Sequence, residues 1–469
     1  MDSSYKKLTV NTVLVFIGRA GGTLIALLML PLYTRWLSTE EYGTVDLINT
    51  YASILLSIAS CSIASAIFVI PKKSDEENQK KYYSSGIFFL IICSIIVLLI
   101  CLILNHFTKA SSFIIIKNRW FIAFLTLSMI WLNYSQQFLR ALDKMVLFSS
   151  CGIIQSISIA AFAFVFIPSF GVRGYILSLI VANIITFLFS FLLSKSYNYV
   201  CLNCIDKGKL KELLHYSIPL VPNSIMWWLV NGFNRPLMEN YLGLSAIGLY
   251  AVAMKFPSII NSLSDVFMNA YSISMIEEYG KKAFSGFFNN TFRIVLFMLS
   301  IVAIGIVVFS KLIIRIFAAP EFFEAWRVLP VLTLSSVFSC AASVVGGIFV
   351  ARRASKYYLY SSIWGAVTSV IFTYILIQIW GLLGCAVAIS LSFACMYFAR
   401  IYYAKKDVSG VKWFLFQILL LICIILTSLY VNNTLYAILL YVLFTSMMLV
   451  YNKDIILIGC RYVKQRINK

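Results

Sequence analysis

Residues 83–104 read YSSGIFFLIICSIIVLLICLIL and contain no charged side chain. As a helix they would extend about 33 Å, enough to cross a hydrocarbon core about 30 Å thick. Similar apolar runs recur along all 469 residues, and 61% of the residues are hydrophobic whereas only 12% are charged. A transmembrane β-barrel would instead show alternating segments of about 10 residues. The sequence therefore predicts an all-α polytopic membrane protein.

Fourteen transmembrane spans follow from this hydropathy pattern. They cover approximately residues 9–36, 44–70, 83–104, 120–139, 146–167, 174–193, 217–242, 247–274, 287–310, 328–351, 358–379, 382–404, 412–430 and 434–451. The two termini and the loops on the same side contain 26 Lys and Arg residues, and the opposite loops contain about nine. Because basic loops stay in the cytoplasm, we expect both termini there. The net charge of +20 thus reflects topology in a lipid bilayer, and we expect no nucleic-acid partner.

Short matching segments indicate an internal repeat. The pairs are residues 143–150 with 355–362, residues 171–174 with 381–384, and residues 37–38 with 244–245. Shared use of common helix-end residues is the alternative explanation. An offset near 210 residues contains six spans, so both copies enter the membrane from the same side. We expect an N-terminal lobe at residues 1–206, a C-terminal lobe at 207–406, and two extra helices with a cytoplasmic tail at 407–469.

The sequence contains no convincing catalytic or metal-binding set. Its two histidines, His106 and His215, neighbour neither a nucleophile motif nor a phosphate-binding glycine loop. Cys201 and Cys204 form a single CxxC, which is too small a set for a tetrahedral zinc site. We therefore expect a transporter rather than an enzyme, with no metal and no cofactor. Without a P-loop, active transport has to draw on an ion gradient, the membrane potential or the substrate's own gradient.

Charged residues inside the spans are the candidate binding residues, because each is costly in hydrocarbon and normally faces a cavity or a partner. Arg19 lies among glycines, which allow a partner helix or a ligand to approach closely. Arg235 is a second candidate anion contact, with an i,i+4 ion pair to Glu239 as the alternative. Lys255 is a third, with snorkelling to the outer interface as its alternative. Pro257 follows it and predicts a kink.

Two more intramembrane charges have different interpretations. Asp265 has no basic residue three or four positions away, which favours either a site for a coupling H⁺ or Na⁺ or a protonated structural carboxyl. Arg293 lies near the cytoplasmic end of its span, and we expect it to snorkel to the interface.

Several motifs in this order and spacing resemble the polysaccharide repeat-unit flippases (Wzx type) of the MOP superfamily, which also contains MATE drug exporters and lipid II flippases. The motifs are LYTRWLSTEEYG at residues 32–43, QFLRA at 137–141, LLHYSIPLVP at 213–222, NGFNR at 231–235 and GLYAVAMKF at 248–256. Asn234 stands where that family has Asp.

This resemblance implies a two-lobed fold that alternates its access between the two sides of a bacterial inner membrane. It implies a substrate, an undecaprenyl-diphosphate-linked oligosaccharide, which moves from the inner to the outer leaflet to build O-antigen lipopolysaccharide or capsule. Arg19, Arg235 and Lys255 are then expected to contact the diphosphate or an anionic sugar. A polysaccharide polymerase and a chain-length regulator are the expected protein partners.

Two other functions compete with this interpretation. A MATE-like ion-coupled multidrug exporter is the first, but spans 1, 7 and 8 contribute more Arg and Lys than Asp, which does not suit cationic drugs. A membrane glycosyltransferase or polymerase is the second, and it needs a long extramembrane loop that the sequence does not offer.

Overall fold

The protein is described by a computed structural model that covers residues 3–107, 114–281, 284–352, 354–405, 412–430 and 434–452. Within these ranges the chain forms helices and connecting turns, with no β-strand. It divides into two compact units, Met1–Gly248 and Leu249–Lys469. The lobe boundary expected at residues 206 and 207 stays a prediction.

Within the described ranges, ten α-helices belong to the first unit, and an eleventh begins in it. They are α1 Ser3–Trp36, α2 Thr39–Ala59, α3 Ile63–Val69, α4 Glu76–Phe107, α5 Ile114–Lys117, α6 Arg119–Ala141, α7 Met145–Leu193, α8 Lys207–Ser217, α9 Val221–Asn231, α10 Asn234–Tyr241 and α11 Leu244–Lys255. The second unit continues with α12 Pro257–Glu278, α13 Phe284–Val308, α14 Ser310–Phe317, α15 Leu329–Ala351, α16 Ser355–Tyr403, α17 Lys412–Tyr430 and α18 Thr434–Tyr451.

These helices account for the predicted membrane spans. Within the described residues, five helices are long and apolar enough to cross a membrane. The number rises to seven if the bent pairs α2/α3 (59°) and α11/α12 (45°) each count as one span. However, α7 and α16 have 49 residues each, about 73 Å of helix, and so each supplies two spans. The prediction of an all-α membrane protein with about 14 transmembrane helices is confirmed.

The internal repeat appears in the backbone of α7 and α16. Each helix is interrupted by one glycine with nearly the same dihedral angles, Gly171 at φ 54° and ψ −127° and Gly381 at φ 56° and ψ −129°. Residues 161–170 and 371–380 also share one order of buried and exposed positions. In each helix this break, rather than a loop, joins two predicted spans. They are 146–167 and 174–193 in α7, and 358–379 and 382–404 in α16.

A segment predicted as loop is instead helical. Helix α8 begins after Asp206, whose carboxylate accepts hydrogen bonds from the backbone N–H groups of Gly208 (2.6 Å) and Lys209 (3.1 Å). These bonds hold the pKa of Asp206 below its usual value. The charged residues here resembled a loop because α8 is amphipathic and packs only one face on α3 and α4. The predicted seventh span is correspondingly shorter, formed by α9 and α10.

The start of α2 is fixed by a capping box. The hydroxyl of Ser38 accepts from the backbone N–H of Glu41 (3.2 Å), and the Glu41 carboxylate accepts from the N–H of Ser38 (2.9 Å). One turn later, a methyl group on Gly43 would overlap the carbonyl oxygen of Leu244, and one on Gly248 would overlap that of Thr39. The reciprocal contact brings the starts of α2 and α11 together.

We expect Gly171→Ala to destabilise the protein by about 1–3 kcal/mol, because a side chain is strained at this positive φ. Thermal unfolding in detergent measures the effect. Gly286→Ala is the control, since its added methyl group would meet nothing within 4 Å and alanine favours a helix. Equal melting temperatures for Gly171→Ala and wild type would refute the strained break.

Candidate functional site

A largely buried ion pair joins α2 to α10 within the first unit. The guanidinium Nε of Arg235 donates to the Oδ2 atom of Asp46 at 3.1 Å. The Arg235 side chain is 10% exposed and that of Asp46 is 23% exposed. Loss of one partner from a pair this far removed from water is costly, because it leaves the other charge buried and unpaired.

Further contacts hold Arg235 in place. Its Nη1 group donates to the backbone oxygen of Asn231 and, at 3.0 Å, to the side-chain oxygen of Asn234. Asn234, the residue that departs from the family motif, is buried and serves as a neutral acceptor, while Asp46 supplies the negative charge. The carboxylate that the structure places on Arg235 therefore comes from α2. Glu239 accepts a long hydrogen bond, 3.5 Å, from Tyr51.

Helix α1 packs against α7 through small residues on both sides. A methyl group on Gly18 would lie 2.6 Å from the backbone oxygen of Ser149, and one on Gly22 would lie 2.8 Å from the hydroxyl of Ser156. The glycines around Arg19 therefore admit a partner helix, one of the two roles expected for them. The backbone of Arg19 therefore lies beside this part of α7. The Arg19 side chain lies outside the described part of the structure.

A cavity of about 230 Å³ lies between α2, α6 and α7 in the first unit. Its polar lining consists of five amides, which are Asn49, Asn133, Gln136, Gln155 and Asn183. The remaining lining is formed by Leu, Ile and Met side chains. Among the residues that the structure describes, no carboxylate or cation lines this cavity.

The five amides divide into two groups. Gln155 donates to the side-chain oxygen of Asn183 at 2.8 Å, and Asn183 donates to the hydroxyl of Ser128 at 3.0 Å. The side chains of Asn49, Asn133 and Gln136 make no hydrogen bond within the described residues. Their donors and acceptors are therefore available to whatever enters the cavity.

The other candidate residues belong to the second unit. Lys255 is half-buried at the last position of α11, and its carbonyl oxygen accepts a hydrogen bond from Ser258 at 2.5 Å. The 45° bend between α11 and α12 confirms the kink expected at Pro257. Asp265 is exposed on α12, one turn after Asn261, which donates to Ser336 at 3.3 Å.

Arg293 contacts the carboxyl end of α18, and its expected snorkelling to the interface stays a prediction. Its Nε donates to the side-chain oxygen of Asn452 at 3.0 Å, and its Nη2 donates to the backbone oxygen of Tyr451 at 2.9 Å. At this helix end a cation is stabilised by the helix dipole and the otherwise unpaired carbonyl groups.

Sequence reasoning missed Asp46 and the amide cavity. Asp46 lies inside the predicted second span, so its charge in an apolar run was the available signal. The amides come from three helices that are distant in sequence, and no local motif connects them.

Comparison with known proteins identifies the family. The family described as polysaccharide biosynthesis protein matches residues 8–269, more than half of the chain, and the MatE family matches residues 223–375. No curated protein sequence matches the chain. The chain belongs to the polysaccharide biosynthesis protein family, within the MOP superfamily.

Solved structures with similar folds agree with this assignment. The lipid II flippase MurJ in an inward closed conformation has a TM-score of 0.73 at 16% identity, covering 96% of this chain and 100% of that one. An inward-facing multidrug resistance MATE family transporter of the MOP superfamily has a TM-score of 0.62 at 14% identity, covering 83% and 94%. A MOP superfamily transporter from Pyrococcus furiosus Vc1 (DSM3638), described as having a binding pocket of reverse polarity, has a TM-score of 0.60 at 16% identity, covering 89% and 96%. At these identities the likeness shows the fold alone.

A double-mutant cycle with Asp46→Asn and Arg235→Gln measures the ion pair directly. Because the pair is largely removed from water, we expect a coupling free energy of about 1.5–3 kcal/mol in reversible unfolding from mixed micelles. The exposed i,i+4 pair of Glu76 and Lys80, 3.1 Å apart, is the control and should give about 0.3–0.5 kcal/mol. Equal coupling energies for the two pairs would contradict a buried interhelical bond.

Proposed function

We propose that this member of the polysaccharide biosynthesis protein family is a lipid-linked oligosaccharide flippase. Its substrate is an undecaprenyl-diphosphate-linked repeat unit of O-antigen lipopolysaccharide or capsule, moved from the inner to the outer leaflet by alternating access. The observation that carries the proposal is the chemistry of the first unit. There, Asp46 binds Arg235 and lies about one helical turn from Asn49. Asn49 lines a cavity whose described polar lining residues are neutral amides.

The diphosphate is the part of this substrate that needs cations inside the membrane. We assign its recognition to Arg19, Arg235 and Lys255, the cations expected at intermediate depth. A guanidinium can grip two phosphate oxygens at once, whereas an ammonium acts as a point charge. Arg235 is held by Asp46, so the diphosphate has to compete with this carboxylate. A doubly charged ligand can do so if it approaches Arg235 as closely as Asp46 does.

The side from which the substrate enters follows from the distribution of basic loops. With both termini in the cytoplasm of a bacterium, the substrate enters from the inner leaflet of the inner membrane, where glycan units are assembled on their lipid carrier. The released unit then meets a polysaccharide polymerase and a chain-length regulator at the outer face. Either H⁺ or Na⁺ is the coupling ion, with Asp265 as its site.

A multidrug exporter of the MATE type accounts less well for the same features. A cationic drug gains free energy from carboxylates that are free to meet it. In the first unit, the cavity presents amides, and the neighbouring carboxylate, Asp46, is held by Arg235. The neutral lining suits a hydroxyl-rich substrate better than a cation.

We expect Arg19→Ala to reduce surface polysaccharide by at least about tenfold while protein abundance stays near normal, because one of the cations that meet the diphosphate is lost. Arg19→Lys should restore part of the polysaccharide, since it keeps the charge and loses the planar fork. Complementation of a strain lacking the gene, with immunoblots of polysaccharide and protein, measures both.

Arg315→Ala is the matched control for this experiment, because Arg315 is an exposed cation on the short helix α14. It should assemble polysaccharide at the wild-type level. Wild-type polysaccharide from Arg19→Ala would remove Arg19 from the substrate path.

Asp265→Asn tests the coupling assignment. A carboxylate that binds H⁺ or Na⁺ more tightly in one access state biases transport toward the other leaflet, and an amide cannot titrate. In proteoliposomes we expect this variant to lose most of the acceleration caused by an imposed proton or sodium gradient while still binding substrate. Asn261→Ala, one turn away on α12, should keep its gradient response. Equal gradient responses from wild type and Asp265→Asn would assign coupling to another residue.

A further inference from the structure

We propose that the amide-lined cavity of the first unit is a subsite for the uncharged, hydroxyl-bearing sugar residues of the translocated lipid. This inference rests on the proposed flippase function and assigns the part of the substrate that the cations do not explain. Asn133 and Gln136 on α6, together with Asn49 on α2, form its hydrogen-bonding surface.

The hydrogen bonds of the cavity indicate a ligand rather than a purely structural role. Gln155 and Asn183 are joined to each other and to Ser128, so they form a fixed wall. By contrast, Asn49, Asn133 and Gln136 make no hydrogen bond within the described residues. Asn49 is exposed, and Asn133 and Gln136 are half-buried, so each amide reaches the space of the cavity. These three amides therefore offer donors and acceptors to a ligand with polar groups.

The chemistry of the lining selects the class of ligand. An amide side chain donates through nitrogen and accepts through oxygen, which matches hydroxyl groups that also do both. A bare metal cation finds no carboxylate among the lining residues, and a phosphate finds no cation there. The volume of about 230 Å³ is several times the roughly 30 Å³ that one water molecule occupies, so the cavity accepts a larger ligand.

The position of the cavity connects it to the proposed diphosphate contacts. Asn49 follows Asp46 by three residues on α2, which places the two about 4.5 Å apart along the helix axis and on one side of it. Gln155 lies between Gly152 and Ser156, the part of α7 that packs against α1 beside Arg19. A lipid diphosphate near Arg235 would therefore have its attached sugar within reach of the amides.

Two near-isosteric substitutions, Asn133→Leu and Gln136→Met, remove the amides and preserve side-chain volume. Binding is measured in nanodiscs with two probes, undecaprenyl diphosphate and the undecaprenyl-diphosphate-linked oligosaccharide extracted from the bacterium that encodes the chain. We expect the wild type to bind the glycosylated lipid more tightly. In the double variant this affinity should fall by about tenfold or more, because at least two hydrogen bonds are lost, while affinity for undecaprenyl diphosphate changes by less than about twofold.

Gln137→Met is the matched control, because this neighbouring amide accepts from Arg140 at 3.0 Å and does not line the cavity. It should leave the affinity for both lipids unchanged. Since Asn133 and Gln136 bond to no described residue, the double variant should also melt near the wild-type temperature. If it melts lower, the single Gln136→Met variant takes its place, with an expected loss of several-fold for the glycosylated lipid alone.

The outcomes separate this proposal from the proposed function. Unchanged binding of the glycosylated lipid by the variants would overturn the sugar subsite and leave the flippase intact. Equal wild-type affinities for the two lipids would likewise overturn the sugar subsite and leave the flippase intact. A wild type that binds and moves neither lipid would refute the flippase, and the sugar subsite with it.

Discussion

Hydrocarbon offers no hydrogen bonds, and this constraint explains most of what the structure does with its polar groups. Arg235 is held by Asp46, Asn231 and Asn234 as acceptors. Arg293 is accommodated by the carboxyl end of α18. Asn49, Asn133 and Gln136, which have no partner within the described residues, lie around a cavity. These polar groups thus mark a helix contact or line a cavity.

The substrate contacts that we propose in the first unit combine two kinds of chemistry. Arg19 and Arg235 suit the diphosphate, and the neutral amides suit the sugars. In the proposed flippase, the substrate has to be released again, and competition between Asp46 and the diphosphate for Arg235 would limit the affinity in the state that holds the ion pair. Weak neutral hydrogen bonds to sugars serve the same end.

Much of the fold could be predicted because hydropathy alone sets the spans, and the glycines that recur near an offset of 210 residues became the matching breaks at Gly171 and Gly381. Helix α8 could not be predicted, because its charged, amphipathic sequence resembles a loop until its packing is known. At the site, Arg235 was evident as a charge in an apolar run, but its partner Asp46 is 189 residues away in sequence. The amide cavity depends on the packing of three helices, which one sequence does not specify.

The most direct test of the account is transport by the purified protein in proteoliposomes. One set contains the undecaprenyl-diphosphate-linked oligosaccharide in the bilayer, and an impermeant glycan-cleaving enzyme outside reports which molecules have crossed. A second set contains a fluorescent cationic drug. The account predicts protein-dependent exposure of the oligosaccharide and no transport of the drug. Transport of the drug with the oligosaccharide left in its original leaflet would contradict it.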